Sequence, residues 1–260
     1  MSASAAPILV EACVDSVESA LAAERGGARR VELCDALFDG GTTPSAGMIA
    51  ACKASVSIPM FVMIRPRGGG FCYSAAERDV MRRDVEAARA LGADGIVTGG
   101  LRADGEVDVD LVRDLVDAAG GIPVSFHRAF DLTRDLEASL ELLAGAGVKR
   151  VLTSGGAPTA LEGAATLGQL VRRAGERLVV IAGGGVREDN VQRVVAASGV
   201  REVHVRLTRT ARNGARSRDR ALSFRKPLPA DEDAWEETDE QRVRSFVAAT
   251  LHGASDGARR

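Results

Sequence analysis

Aromatic residues are scarce, at 3% of a 260-residue chain, so the core has to be filled by Val, Leu, Ile and Ala. Long apolar runs are missing too. None approaches the roughly 20 residues that a bilayer-crossing helix needs, and no membrane partner is expected. The opening MSASAAP has no basic segment followed by an apolar one, so it does not read as a secretory signal. Cysteine is limited to Cys13, Cys34, Cys52 and Cys72, without a CxxC pair. A disulfide framework is not expected in a chain of this length without an export signal, and the protein reads as cytoplasmic with reduced thiols. There is no excess of charge of either sign: 34 Lys and Arg stand against 36 Asp and Glu, mixed along the chain. Nucleic-acid binding, which calls for a basic stripe, is excluded as an expectation.

What is present is a regular alternation. Short, mostly continuous apolar runs occur at Ile8–Cys13, Arg30–Cys34, Pro59–Arg65, Asp94–Thr98, Pro123–Phe130, Arg150–Ser154, Leu178–Ala182 and Glu202–Arg206. Runs of this kind suit parallel strands covered on both faces. Amphipathic segments separate them. Asp15-x-x-Glu18, Ser74-x-x-Glu77 and Thr159-x-x-Glu162 resemble capping boxes, and Gly26, Gly92, Gly120, Gly147 and Gly199 stand where helices end. Eight strand–helix units predict a (β/α)8 barrel of the TIM type, with a doubly wound open sheet as the alternative. One barrel domain is expected over residues 1–252, with a disordered tail at 253–260. Leu207–Thr238 reads as a long loop before a last helix, Asp239–Leu251.

The polar residues inside these runs carry the functional information. LVEAC (Leu9–Cys13) and RVELC (Arg30–Cys34) repeat a Glu-x-Cys spacing. Residues two apart on a strand face the same way, so Glu11 projects with Cys13 and Glu32 with Cys34. Arg65 and Arg67, Thr98, Ser125 and His127, Ser154 and His204 fall at the ends of other strands, on the rim where barrel active sites are built. Buried charges are tolerable when they compensate one another. The bland alternative is a structural Glu32–Arg65 salt bridge filling the barrel, with His127 a satisfied core histidine. On the functional reading, Glu11, Glu32 and His127 are acid–base candidates, and Arg65, Arg67, Thr98, Ser154, Gly183 and Gly184 are candidates for seating a small anionic or sugar-like metabolite. The glycine-rich strand ends TGG, TSGG and AGGGV supply backbone amides for it, although every such turn needs permissive residues. Cys13 and Cys34, at corresponding positions on neighbouring strands, could share one soft ion such as Cu(I). Zinc would require further ligands from His127 or His204. Buried thiols are also ordinary small hydrophobes, and Cys52 and Cys72 look incidental.

The strings LVEACVDSVESALAAERGGARRVELCDALFDGGTTPS, FVMIRPRGGGFCYS, PVSFHRAFD and RVLTSGG, spread between Ile8 and His204, resemble the copper homeostasis CutC family. The resemblance implies a single cytosolic TIM-type barrel that assembles with itself and binds Cu(I), with the candidate ligands falling on Cys13 and Cys34. Beyond His204 the chain departs from the family: VRLTRTARNGARS replaces the more usual small residues, so Arg206 and Arg209 are expected to crowd or recharge the rim, within an atypical segment running from Arg206 to Arg220.

Overall fold

The computed structural model describes residues 7–212 and 233–251; the tail expected at 253–260 and most of the Arg206–Arg220 segment lie outside them. Eight parallel strands close on themselves in chain order: β1 (Leu9–Val14), β2 (Arg30–Leu33), β3 (Met60–Met63), β4 (Gly95–Thr98), β5 (Val124–Phe126), β6 (Arg150–Thr153), β7 (Val179–Ala182) and β8 (Glu202–Val205), with β8 returning to β1. The helices are α1 (Val17–Arg25), α2 (Ala46–Ser55), α3 (Ala75–Ala90), α4 (Val109–Ala119), α5 (Leu136–Gly145), α6 (Ala164–Ala174), α7 (Val191–Ser198) and α8 (Glu240–Leu251). The architecture is the (β/α)8 barrel rather than the open sheet.

The main core lies between strands and helices. Outward-facing Val10, Ala12, Val31, Leu33, Val62, Ile96, Phe126, Val151, Val180 and Val203 are all buried, against helix residues such as Met81, Val85, Leu111, Leu115 and Leu140. Aliphatic packing suffices because both faces of the parallel sheet are covered. A smaller cluster of Cys13, Cys34, Phe61, Met63 and Val97, capped by Leu37, fills the inside of the barrel.

Local signals deviate in instructive ways. The cap of α1 is Ser16, which accepts the Ser19 amide, one residue later than the Asp15 expected, and Ser74–Glu77 forms the full reciprocal box. The Thr159 hydroxyl accepts the Glu162 amide, but α6 starts only at Ala164, so this pair braces a turn ahead of the helix. Gly26 keeps a right-handed φ of −71°, and the left-handed residue is Gly27. The fifth run is shorter than expected: β5 stops at Phe126, and Arg128–Leu132 turns as a 3-10 helix capped by His127. The stretch read as a loop carries β9 (Thr208–Arg212) and β10 (Ala234–Thr238), paired antiparallel. Its alternating polar residues build cross-strand contacts that a search for apolar periodicity passes over. Arg209 is engaged there by Glu237.

Candidate functional site

Strand parity selects which side chains enter the barrel. On β1 these are Glu11 and Cys13, on β2 Arg30 and Glu32, followed by Cys34, on β6 Arg150, and on β8 Glu202 and His204. Register then decides who meets whom. Glu11 is opposite both Arg30 and His204, and Cys13 is opposite Glu32. The two cysteines are therefore offset diagonally by two residues instead of facing one another at one level, yet their sulfurs lie 3.9 Å apart.

Below the thiols sits a layer of compensated charge. Arg30 and Glu11 are each 2% exposed; the guanidinium donates to Glu11 through Nε and to Glu202 through Nη2 at 2.5 Å. Arg150 Nε approaches Glu202 at 3.5 Å. The Phe61 ring is flanked by Arg30 at 5.0 Å and Arg150 at 5.2 Å, a favourable use of its π faces. Phe61 fits because Gly95 faces it: a Cβ there would stand 2.5 Å from the ring. Two carboxylates and two guanidiniums thus balance in an interior where an unpaired charge would cost several kcal/mol.

Above this layer the polar groups converge. Glu11 Oε1 and His204 Nδ1 are 2.7 Å apart, which turns His204 Nε2 toward Glu32 Oε2 at 3.6 Å. The Cys34 sulfur lies 3.6 Å from Glu32 Oε2. Cys13, Glu32 and His204 can each offer a ligand atom, all within 4.8 Å of one another. Protonation follows from this crowding. Burial raises the Glu11 pKa, but His204 and Arg30 override it and hold it near 2. Hydrogen bonding to Cys34 is the strongest influence on Cys13 and, with His204, brings its thiol well below the ordinary range against the effect of burial. Cys34 is driven the other way by its bond to Cys13 and by burial. Burial lifts Glu32 to about 8. For His204 burial works against the imidazolium, and the Glu32 charge, Cys13 and Glu11 outweigh it, so the pKa is well raised. The cluster thus biases Cys13 toward the thiolate and His204 toward its protonated form, with the raised Glu32 carboxyl next to both.

A model of the CutC family matches residues 8–209. The chain belongs to the CutC family. It is 47% identical to the copper homeostasis protein cutC homolog of Mus musculus, over 92% of this chain and 88% of that protein. The Homo sapiens homolog is 46% identical over the same shares. Among solved structures, the CutC protein of Streptococcus agalactiae superimposes with a TM-score of 0.73 at 34% identity, covering 76% of this chain and 97% of that one. No helix among the described residues is long and apolar enough to cross a membrane.

In this CutC-family chain the residues expected to act together separate into two groups. Glu11, Cys13, Glu32 and Cys34 converge, and His204 joins them. The others lie on different strands and are engaged elsewhere. Arg65 is buried and does not pair with Glu32; its Nη1 donates to the carbonyls of Asp39 and Gly41, and Nη2 to that of Gly69, each at 2.8 Å. Arg67 binds Glu77 and the carbonyls of Gly68, Gly70 and Cys72. Thr98 faces outward and donates to the Ile64 carbonyl. His127 Nδ1 accepts the Ala129 amide, which puts the ring proton on Nε2, and its ring lies 4.9 Å from that of Phe71. Burial, then the Arg65 charge, depress its pKa to about 3, so it is neutral at physiological pH.

The glycine-rich strand end at β6 already holds an anion, and that anion belongs to the protein. The Asp131 carboxylate accepts the amides of Ser154 and Gly156 and the hydroxyls of Thr153 and Ser154. Gly183 donates to Thr153, and the Arg128 guanidinium packs over Gly184. Arg30, Arg150 and Glu202 are not among the site residues expected from the sequence. Parity was the available signal, since Arg30 shares it with Glu32 and Glu202 with His204.

Proposed function

We propose that this chain binds Cu(I) through the thiolates of Cys13 and Cys34, with His204 completing the donor set, in the service of copper homeostasis. The carrying observation is the pair of buried sulfurs 3.9 Å apart beside an imidazole oriented by a carboxylate. Metal–thiolate bonds of about 2.3 Å make that separation a span of roughly 115° at a shared ion, bent enough to admit a third donor. Soft sulfur ligands select Cu(I) over hard cations. The Glu11–His204 pair is the carboxylate–histidine arrangement that fixes ring orientation behind a metal. Glu32 Oε1, buried without a hydrogen-bond partner, is a further oxygen donor facing the same space. This reading places the protein in the cytoplasm, where thiols stay reduced. Self-assembly, as the family resemblance implies, is part of the same proposal.

The test is competition with a Cu(I)-specific chelating dye. Wild type should hold the ion against the dye, and the Cys13→Ser/Cys34→Ser variant should yield it while remaining folded by circular dichroism. Equal retention by both would dismiss the reading.

A second reading is favoured by the setting of the Glu32 carboxyl, buried with Oε1 lacking a hydrogen-bond partner; burial raises its pKa to about 8, which suits proton transfer near neutrality. On it, Glu32 is the proton-transfer group toward a small anionic or sugar-like metabolite at the mouth, with Glu11 orienting His204 beside it. His127, whose buried Nε2 has no hydrogen-bond partner, contributes as a neutral N–H donor. Thermal-shift screening of phosphorylated sugars and small carboxylic acids against wild type and Glu32→Gln tests it; no stabilisation by any of them ends it.

A further inference from the structure

The segment from Asp35 to Thr42 folds over the thiol pair. Its base is closed by reciprocal backbone bonds between Asp35 and Thr42. Inside that base Ala36 adopts a left-handed φ of 45° without being glycine, a conformation that costs on the order of 1 kcal/mol or more. Leu37 packs on the cluster containing both thiols. Gly41 lies so close that a Cβ there would be 3.2 Å from Cys34 Sγ. The outer side is not packed: Phe38 is 82% exposed. Apolar burial on one side and a strained residue at the base leave this cover in need of a fastening.

Arg65 supplies it. The side chain is 4% exposed, and its Nη donors go to the carbonyls of Asp39 and Gly41 in the cover and of Gly69 in the loop after β3. None of these acceptors is a carboxylate, so the guanidinium ties loops together and makes no ion pair through them. The Gly69 anchor is itself held, because Arg67 binds the carbonyls of Gly68 and Gly70 on either side of it. The Asp39 carboxylate packs over Gly68, where a Cβ would collide at 1.8 Å.

We infer that Arg65 is a positioning residue: it clasps the Ala36–Gly41 cover shut over Cys13 and Cys34 and thereby sets how readily reagents and metal reach the sulfurs. The consequence for copper rests on the Cu(I) reading above, whereas the consequence for thiol access does not. Hydrogen bonds from a charged donor are worth more than neutral ones, and three of them vanish together in Arg65→Met. Opening of the cover should become easier while the barrel stays closed.

The experiment is alkylation of the full-length, metal-free protein with iodoacetamide, followed site by site by peptide mass spectrometry. Cys52, buried in the core, reports global opening, and Cys72, already exposed, reports reagent activity. In Arg65→Met, labelling of Cys13 and Cys34 should accelerate on the order of tenfold or more relative to Cys52. Arg65→Lys, able to reach one carbonyl, should fall between. Leu37→Ala, which removes the plug without touching the clasp, should accelerate the same two sites, and where Arg65→Met does not fold Arg65→Lys carries the test of the clasp. Unchanged labelling, or Cys52 rising in step with Cys34, overturns the inference. A second arm follows release of Cu(I) to the chelating dye. Faster release in the variants extends the clasp to the metal. Faster labelling with unchanged release upholds the clasp and counts against copper at these thiols.

Discussion

Replacing His127 tests the electrostatic account of the barrel mouth without touching the thiols. The ring is 5% exposed, and its pKa lies near 3 against an ordinary 6.5. Between these values the unfolded chain binds a proton here that the native state refuses, so stability falls as pH drops through 6.5 toward 3. At about 1.4 kcal/mol per pH unit, lowering the pH from 8 to 4.5 should withdraw roughly 2.7 kcal/mol at this one site. Glu32, with its raised pKa, and His204 bind protons preferentially in the native state and contribute the opposite slope. The raw wild-type profile is therefore a mixture, and the informative quantity is the difference from His127→Asn. Asparagine retains an acceptor for the Ala129 amide and cannot titrate. Its lost ring volume lowers stability by an amount that does not depend on pH. Urea unfolding at pH 8 and pH 4.5, with slopes checked for constancy, should show the variant gaining about 2.7 kcal/mol on wild type at the lower pH. A difference that stays the same at both pH values would refute a buried, neutral His127.

Other expectations concern the charge layer and the space around it. Arg30→Met removes the guanidinium that Glu11 and Glu202 share, leaving them only His204 and Arg150, and should cost about 3–5 kcal/mol in unfolding free energy, whereas Arg25→Ala, breaking the exposed pair with Glu240, should cost under about 1 kcal/mol; similar losses in denaturant titrations would contradict the burial argument. Glu11→Gln leaves both thiols in place but weakens the hold on His204, and Cu(I) affinity by dye competition should fall on the order of 10- to 100-fold. Gly95→Ala drives a methyl into the Phe61 ring, with an expected loss of about 1–3 kcal/mol; calorimetry showing a wild-type melting temperature would mean the guanidinium–ring stack is looser than described.

Much of this protein is written locally. Eight apolar runs with helical segments between them specify alternating strands and helices, because period and capping chemistry act within a few residues. Parity along LVEAC and RVELC likewise determines that each glutamate travels with its cysteine, since neighbours two apart share a face. Parity could also have flagged Arg30 and Glu202. Local chemistry was less decisive where several residues compete for one role, as with Asp15 and Ser16 for the cap of α1, or Gly26 and Gly27 for its end.

The tertiary structure decided which faces meet. Closure of β8 on β1 brings His204 to Glu11 across 193 residues, and strand stagger sets the thiols diagonally while leaving their sulfurs in contact. The same long-range geometry gave Arg65 to the loop carbonyls and lodged Asp131 in the amides of β6. Arg65 and the glycine-rich end of β6 were each plausible anion-site elements when read alone. Hydrogen bonds and charges are satisfied by whatever arrives nearest in space, and spatial proximity in a closed barrel is set by register and shear, which no short stretch of residues encodes.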